Sequence, residues 1–167
     1  LLIGYALLLM VGNGYVCGHE NILSVVDQNI FGDAHLYHKS PIDPEGLLGL
    51  IPSIAHTLIG FWCGKLLIEH HELKDKMLNL FLFGFVLLAI GLLFTYGLPL
   101  NKRIWSPTYV LVTCGLATSL LALFIYLIDD KGSKQWTPFF VSFGVNPLFL
   151  YVLSELLCIV FDALGIK

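Results

Sequence analysis

Between Gly12 and Asp43 the chain gathers Asp33, His35, Tyr37 and His38 into one short stretch, just ahead of Asp43 and Glu45. Carboxylate, imidazole and phenol side by side are the residue types that move protons. An imidazole titrates near neutral pH, and a desolvated carboxylate can approach that range. His35, Asp33 and Glu45 are therefore candidate acid–base groups, and a solvated surface loop accounts for the same residues equally well. The His-x-x-His pair suggests a metal only in outline; with no further ligand pattern to support it, the expectation is that no metal is bound. A second cluster, Asn101-Lys102-Arg103 followed by Ser106, combines cations with the free N–H groups of a helix start. That combination suits an anionic ligand such as the phosphates of a coenzyme, and it suits lipid headgroups just as well.

The elements that must position these residues are apolar. Of the 167 residues 57% are hydrophobic and 13% charged, and the mean hydropathy is +0.82. Soluble domains carry about 25% charged residues. Crossing the hydrocarbon of a bilayer takes roughly 20 apolar residues in a helix. Residues 46–68, 77–100, 107–128 and 138–161 reach that length, and 1–11 is a partial span. The runs lack the alternation of barrel strands, and lipid offers a bare backbone no hydrogen bonds, so they read as helices. The expected fold is all-α: a polytopic transmembrane bundle of four full spans and a partial N-terminal one, with 12–45 as a polar loop.

The lipid bilayer is thus the first expected partner. The net charge of -3 and the lack of a basic block argue against nucleic acid. Lys39, Lys102 and Arg103 fall on one membrane face, against Lys65, Lys74, Lys76, Lys131 and Lys134 on the other, which places the 12–45 loop on the non-cytoplasmic side. Short loops without an N-x-[ST] acceptor suggest a bacterial inner membrane. Opening at Leu1 inside an apolar run, the chain reads as cut from something larger rather than as starting with a signal peptide. Cys17, Cys63, Cys114 and Cys158 stand far apart and read as buried thiols.

Several features within the spans add detail. Asp43-Pro44-Glu45 and Ser106-Pro107 have the composition of helix starts. Gly46, Gly49, Ser53, Thr57, Gly60 and Gly64 form one small-residue face on the first full span, where another helix could pack closely. His56 borders that face in mid-span, where an ionisable group is costly: it is a pocket candidate, and a neutral imidazole bonded to a neighbouring helix is the plainer alternative. In the last span Pro147 cannot donate to the carbonyl of Phe143, so the helix should kink or break at Asn146-Pro147, either lining a cavity or merely adjusting the packing. Trp105, Tyr109, Trp136 and Trp62 fall near span ends, as interfacial aromatics do.

Taken in order, Gly32–Tyr37 (G-D-A-H-L-Y), Asp43–Leu48 (D-P-E-G-L-L), Asn101–Val110 (N-K-R-I-W-S-P-T-Y-V) and Phe143–Val152 (F-G-V-N-P-L-F-L-Y-V) resemble the membrane acyltransferase family of heparan-α-glucosaminide N-acetyltransferase and its bacterial relatives. The resemblance covers almost the whole chain and matches the C-terminal half of such proteins. It implies acetyl transfer from acetyl-CoA, as co-substrate, to the amine of a glucosamine-type sugar, with the missing N-terminal half of the same protein as a further partner. The family's catalytic histidine belongs to that other half, so the isolated chain should be inactive. Asp33, His35, Tyr37, Asp43, Glu45, Asn101, Trp105, Ser106, Asn146 and Pro147 lie in the matching motifs and are pocket or scaffold candidates, and Asn101, Lys102, Arg103 and Ser106 are the candidate coenzyme contacts. A transporter or permease module, or a non-catalytic membrane scaffold, would use the same small-residue face and broken helix. No inverted repeat favours transport.

Overall fold

The computed structural model describes residues 1–18, 20–32, 35–36, 42–69 and 72–165. Its elements are helices: α1 Leu2–Val11, α2 Ile22–Phe31, α3 Leu50–Glu69 entered through a 3-10 turn at Leu47–Gly49, α4 Leu73–Phe94, α5 Pro107–Ile125 ending in a π turn at Tyr126–Asp130, α6 Thr137–Val145 and α7 Pro147–Ala163. Three of these stretches, Leu47–Glu69, Leu73–Phe94 and Pro107–Asp130, are long and apolar enough to cross a membrane, and the α6–α7 pair makes a fourth if counted as one bent span. The chain divides into two compact units, Leu1–Phe124 and Ile125–Lys167.

In the first unit α5 is the most enclosed helix, and it is enclosed by small residues. Thr108, Val110, Val112, Cys114, Gly115, Thr118 and Ala122 are all buried along it. Its contact with α4 is backbone against backbone: a Cβ on Gly115 would lie 2.5 Å from the Leu88 nitrogen, and one on Gly84 would lie 2.6 Å from Ser119 Oγ and 2.9 Å from the Gly115 carbonyl oxygen. Gly91 meets Val112 in the same way, at 2.9 Å. Lipid tails are as apolar as leucine, so packing of this kind, rather than hydrophobic burial, holds such helices together. On the other side of α5, Cys63 Sγ of α3 lies 3.3 Å from Thr118 Oγ1.

Several expectations need correction. Most of the small-residue face of α3 is open rather than packed: a Cβ at Gly49, Gly60 or Gly64 would have nothing within 4 Å among the described residues, and only Gly46, ahead of the helix, meets a neighbour, Asp27 of α2. Residues 12–45 are not loop throughout: Asn21 accepts the Leu23 N–H and starts α2, a helix too short to span and therefore absent from a search by length. The second full span begins at Leu73 and ends at Phe94 rather than running 77–100. Thr95 Oγ1 donates to the Leu92 carbonyl at its end, and a turn over 95–97 carries the chain out of the helix ahead of Pro99. Cys63 and Cys114 are buried as expected, whereas Cys17, in the turn after α1, and Cys158, on α7, are exposed.

In the second unit the helix breaks where Pro147 removes the hydrogen bond: α6 and α7 meet at 88°, with Asn146 between them at φ -125 and ψ 54. The kink or break expected at Asn146-Pro147 is thus observed, and the 138–161 stretch is a bent pair of helices. Phe139 and Phe140 meet edge to face at 5.3 Å, and Trp136 and Phe140 do so at 5.5 Å, on the α6 side of the break.

The α4–α5 contact gives a direct prediction. Gly115→Ala should destabilise the solubilised protein by about 1–3 kcal/mol, since backbone rather than a flexible side chain must yield. Gly49→Ala, in open space, should be neutral or slightly stabilising, by up to about 1 kcal/mol. Thermal melting in detergent separates the two; equal effects would mean the helices do not approach as described.

Candidate functional site

One end of the first unit brings the polar segments together. Tyr5 and Leu9 of α1, Leu23 of α2, Ile42 from the turn before α3 and Ile104 from the turn before α5 form one buried cluster, against which Tyr15, Ile22, Leu48 and Ile51 pack. The Tyr5 hydroxyl donates to the Ile104 carbonyl at 2.7 Å, tying α1 to the turn at 101–106. Asn21 holds the strand of chain between α1 and α2: besides capping α2, its amide donates to the carbonyls of Gly14 and Val16 at 2.8 and 2.9 Å.

The turn before α5 is internally braced. Asn101 Oδ1 accepts the Arg103 N–H at 2.9 Å, an Asx turn just ahead of the helix start. Ser106, fully buried, caps α5 by accepting the Tyr109 N–H at 3.2 Å, accepts the Asn101 N–H at 3.0 Å and lies 2.9 Å from Thr108 Oγ1. Its hydroxyl is committed to the scaffold, and the exposed cations Lys102 and Arg103 carry the charge outward. Trp105 takes a left-handed backbone conformation, φ 45, which is strained for a bulky residue. That strain sets its ring against His56, with centroids 5.7 Å apart.

His56 is half-buried, and its Nδ1 is enclosed without a hydrogen-bond partner among the described residues. Beside it a groove of about 360 Å³ runs between α3 and α5, lined by Gly60, Cys63, Gly64, Cys114 and Thr118.

The start of α3 is built differently from the expected Asp43-Pro44-Glu45 cap. Asp43 Oδ1 accepts the Glu45 N–H at 2.9 Å, which closes a turn ahead of the helix and leaves Pro44 outside it. The helix start itself is capped from α2, 20 positions earlier: Asp27 Oδ1 accepts the Leu47 N–H at 2.9 Å. A Cβ at Gly46 would collide with Asp27 Oδ2, so this approach requires glycine. Asp27 is 1% exposed. Burial pushes its carboxyl above the ordinary value, Asp43 adds to the rise, and the Leu47 N–H opposes it. Burial also raises the Tyr15 hydroxyl, whose oxygen has no partner among the described residues.

The candidates therefore divide by place. Asp43, Glu45, Asn101, Lys102, Arg103, Trp105, Ser106 and His56 share the region around the cluster and the α3 and α5 starts. His35 is exposed just past α2, its Nδ1 2.9 Å from the Phe31 carbonyl oxygen. Asp33, Tyr37 and His38 lie outside the described residues. Asn146 and Pro147 belong to the second unit, both exposed. Sequence reading missed Tyr5, Asn21 and Asp27. The available signal was the lone acid of a ten-residue helix, Asp27.

No family model matches the chain. Curated proteins do match: heparan-alpha-glucosaminide N-acetyltransferase of Mus musculus is 32% identical over 149 residues, covering 79% of this chain and 23% of that protein. The Homo sapiens protein of the same name is 32% identical over 147 residues, covering 78% of this chain and 22% of its own length. The chain is related to these acetyltransferases. It spans less than a quarter of their length.

Two predictions follow from the caps of the acetyltransferase-related chain. Ser106→Ala should lower stability by about 1–2 kcal/mol, more than an exposed cap would, because buried N–H groups lose their acceptor. A chemical melt unchanged within about 0.5 kcal/mol would contradict the bracing described. For Asp27, a folded pKa above the unfolded one means the folded state binds the proton more tightly. The penalty is absent below the ordinary carboxylate range, grows as pH rises through it, and is complete above the raised folded value. Asp27→Asn should therefore melt higher relative to wild type at neutral pH than at acid pH, and a difference that does not narrow on acidification would remove this account.

Proposed function

We propose that the chain is part of an integral-membrane acyltransferase that moves an acetyl group from acetyl-CoA to the amine of a glucosamine-type sugar. The observation that carries this reading is the 32% identity to named N-acetyltransferases over 79% of the chain. The convergence of the 42–49 and 101–108 turns at one end of the bundle supports it, because two substrates need a common mouth.

An amine attacking a thioester needs a base for its proton, donors for the developing oxyanion and a site dry enough to hinder hydrolysis. In this reading Lys102 and Arg103 receive the phosphates of the coenzyme at the start of α5, where the helix dipole adds to their charge. Asn101 and Ser106 hold that turn in shape. Trp105 and His56 wall the mouth below it, and Asp43 and Glu45 border it from the start of α3. His35, Asp33 and Glu45 remain candidate proton acceptors, and the main catalytic base belongs to protein outside this chain. A bacterial inner membrane is the setting, with the 12–45 segment and the 101–106 turn on the same face of it. The isolated chain is inactive for want of that base and of its packing partners.

A second reading, a transporter module, is favoured by one observation, the 88° break between α6 and α7, since broken helices commonly line translocation sites. Transfer of radiolabelled acetyl to glucosamine by the complete protein separates the two. Lys102→Ala/Arg103→Ala should raise the KM for acetyl-CoA about tenfold or more with a smaller effect on kcat. His35→Ala and Asn146→Ala test the remaining pocket assignments. Substrate uptake without acetylation would reject the acyltransferase reading, and robust turnover by the isolated segment would place the catalytic centre within this chain after all.

A further inference from the structure

The peptide joining Ile104 to Trp105 is held at both ends. Its carbonyl oxygen accepts the Tyr5 hydroxyl at 2.7 Å, and its N–H donates to the Lys102 carbonyl at 3.2 Å. A peptide unit is planar and rotates as one body, so any rotation changes φ at the residue that follows. That residue is Trp105, whose φ of 45 is strained for a bulky side chain. Turning the peptide over would let Trp105 return to negative φ and lift its ring from His56, whose centroid lies 5.7 Å away. The Lys102 contact belongs to the same turn and moves with it. Tyr5 comes from α1, is 1% exposed and sits in the cluster with Leu9, Leu23 and Ile42, so its hydroxyl cannot follow. Packing alone asks only for phenylalanine here; the hydroxyl adds a donor whose acceptor stands 99 positions away.

We propose that Tyr5 is a positioning residue of the mouth: its hydroxyl locks the 104–105 peptide in the orientation that keeps the Trp105 ring against His56 and the Lys102–Arg103 turn in place for an anionic ligand. The bearing on acetyl transfer rests on the function proposed above, and the structural test does not.

Tyr5→Phe in the complete protein removes the hydroxyl and keeps the ring. It is followed by fluorine NMR of fluorotryptophan-labelled protein, with the Trp105 signal assigned by its loss in Trp105→Phe, by hydrogen exchange over segments 100–108 and 80–92, and by acetyl-transfer kinetics. The Trp105 signal should shift or split. Exchange over 100–108 should quicken about fivefold, as loss of one buried hydrogen bond would give, while 80–92 on α4 stays as in wild type. The KM for acetyl-CoA should rise about fivefold with kcat changed by less than about twofold, a split that loss of folded protein would not produce. Glycine takes positive φ without strain, so in a Trp105→Gly background the added Tyr5→Phe change should quicken 100–108 by about twofold or less. An unmoved Trp105 signal or wild-type exchange over 100–108 in Tyr5→Phe would overturn the proposal, as would equal quickening of 80–92 or an undiminished effect beside glycine. A wild-type KM in an active enzyme would overturn the part assigned to Tyr5 in ligand binding. Should Tyr5→Phe fail to fold, Trp105→Gly must restore folding to the double variant, and continued failure also sinks the idea. If the wild-type protein transfers no acetyl group, the acyltransferase reading falls while the Trp105 signal and the exchange still judge Tyr5.

Discussion

The hydrogen bond from the Tyr5 hydroxyl to the Ile104 carbonyl joins positions 99 residues apart and closes the first unit at its polar end. In a chain of apolar helices, contacts between side chains are nearly interchangeable with contacts to lipid, so burial alone gives little reason for one arrangement over another. A buried donor with a single acceptor in reach does give such a reason, because separating them strands both groups. Ile104 sits in the same cluster as Ile42, so this one bond also fixes how the segment before α3 lies against the segment before α5. The candidate site is built on that closure.

The backbone logic of the remaining turns follows from it. Once Ile104 is held, Asn101 and Ser106 can brace the turn from inside, and Trp105 is driven to a positive φ that would otherwise be unfavourable. The strain is local, and its product is a ring lying against His56. Charge is segregated at the same time: the polar atoms of Ser106 and Asn101 turn inward, and the cations of Lys102 and Arg103 remain at the surface.

Much of this was legible in residue order. The long apolar runs announce helices because only a helix satisfies its own backbone in lipid. Pro147 announces the break in the last span because a missing N–H cannot be replaced, and Ser106 announces a helix start because a serine before a proline is suited to little else. The rest depends on contacts far apart in the chain. Nothing local shows that Asp27 caps a helix 20 positions later, and the acids nearest that helix, Asp43 and Glu45, were the natural choice. The glycines misled for a related reason: of the regular stripe only Gly46 meets a neighbour, Asp27, while Gly49, Gly60 and Gly64 meet nothing among the described residues, and Gly84, Gly91 and Gly115, less regular along the sequence, carry the close approach of helices. Spacing reveals that a face is small, and only a partner decides whether smallness is used.

The contact of Gly84 with Gly115 leaves no room for a bulky side chain between α4 and α5 at that point to act as a bearing. Two helices meshed through their main chains cannot slide past one another without unmaking the contact, so they turn and translate as a single plank. Any rearrangement within this unit then falls more easily to the lighter elements, α1, α2 and the entry to α3, than to the α4–α5 pair.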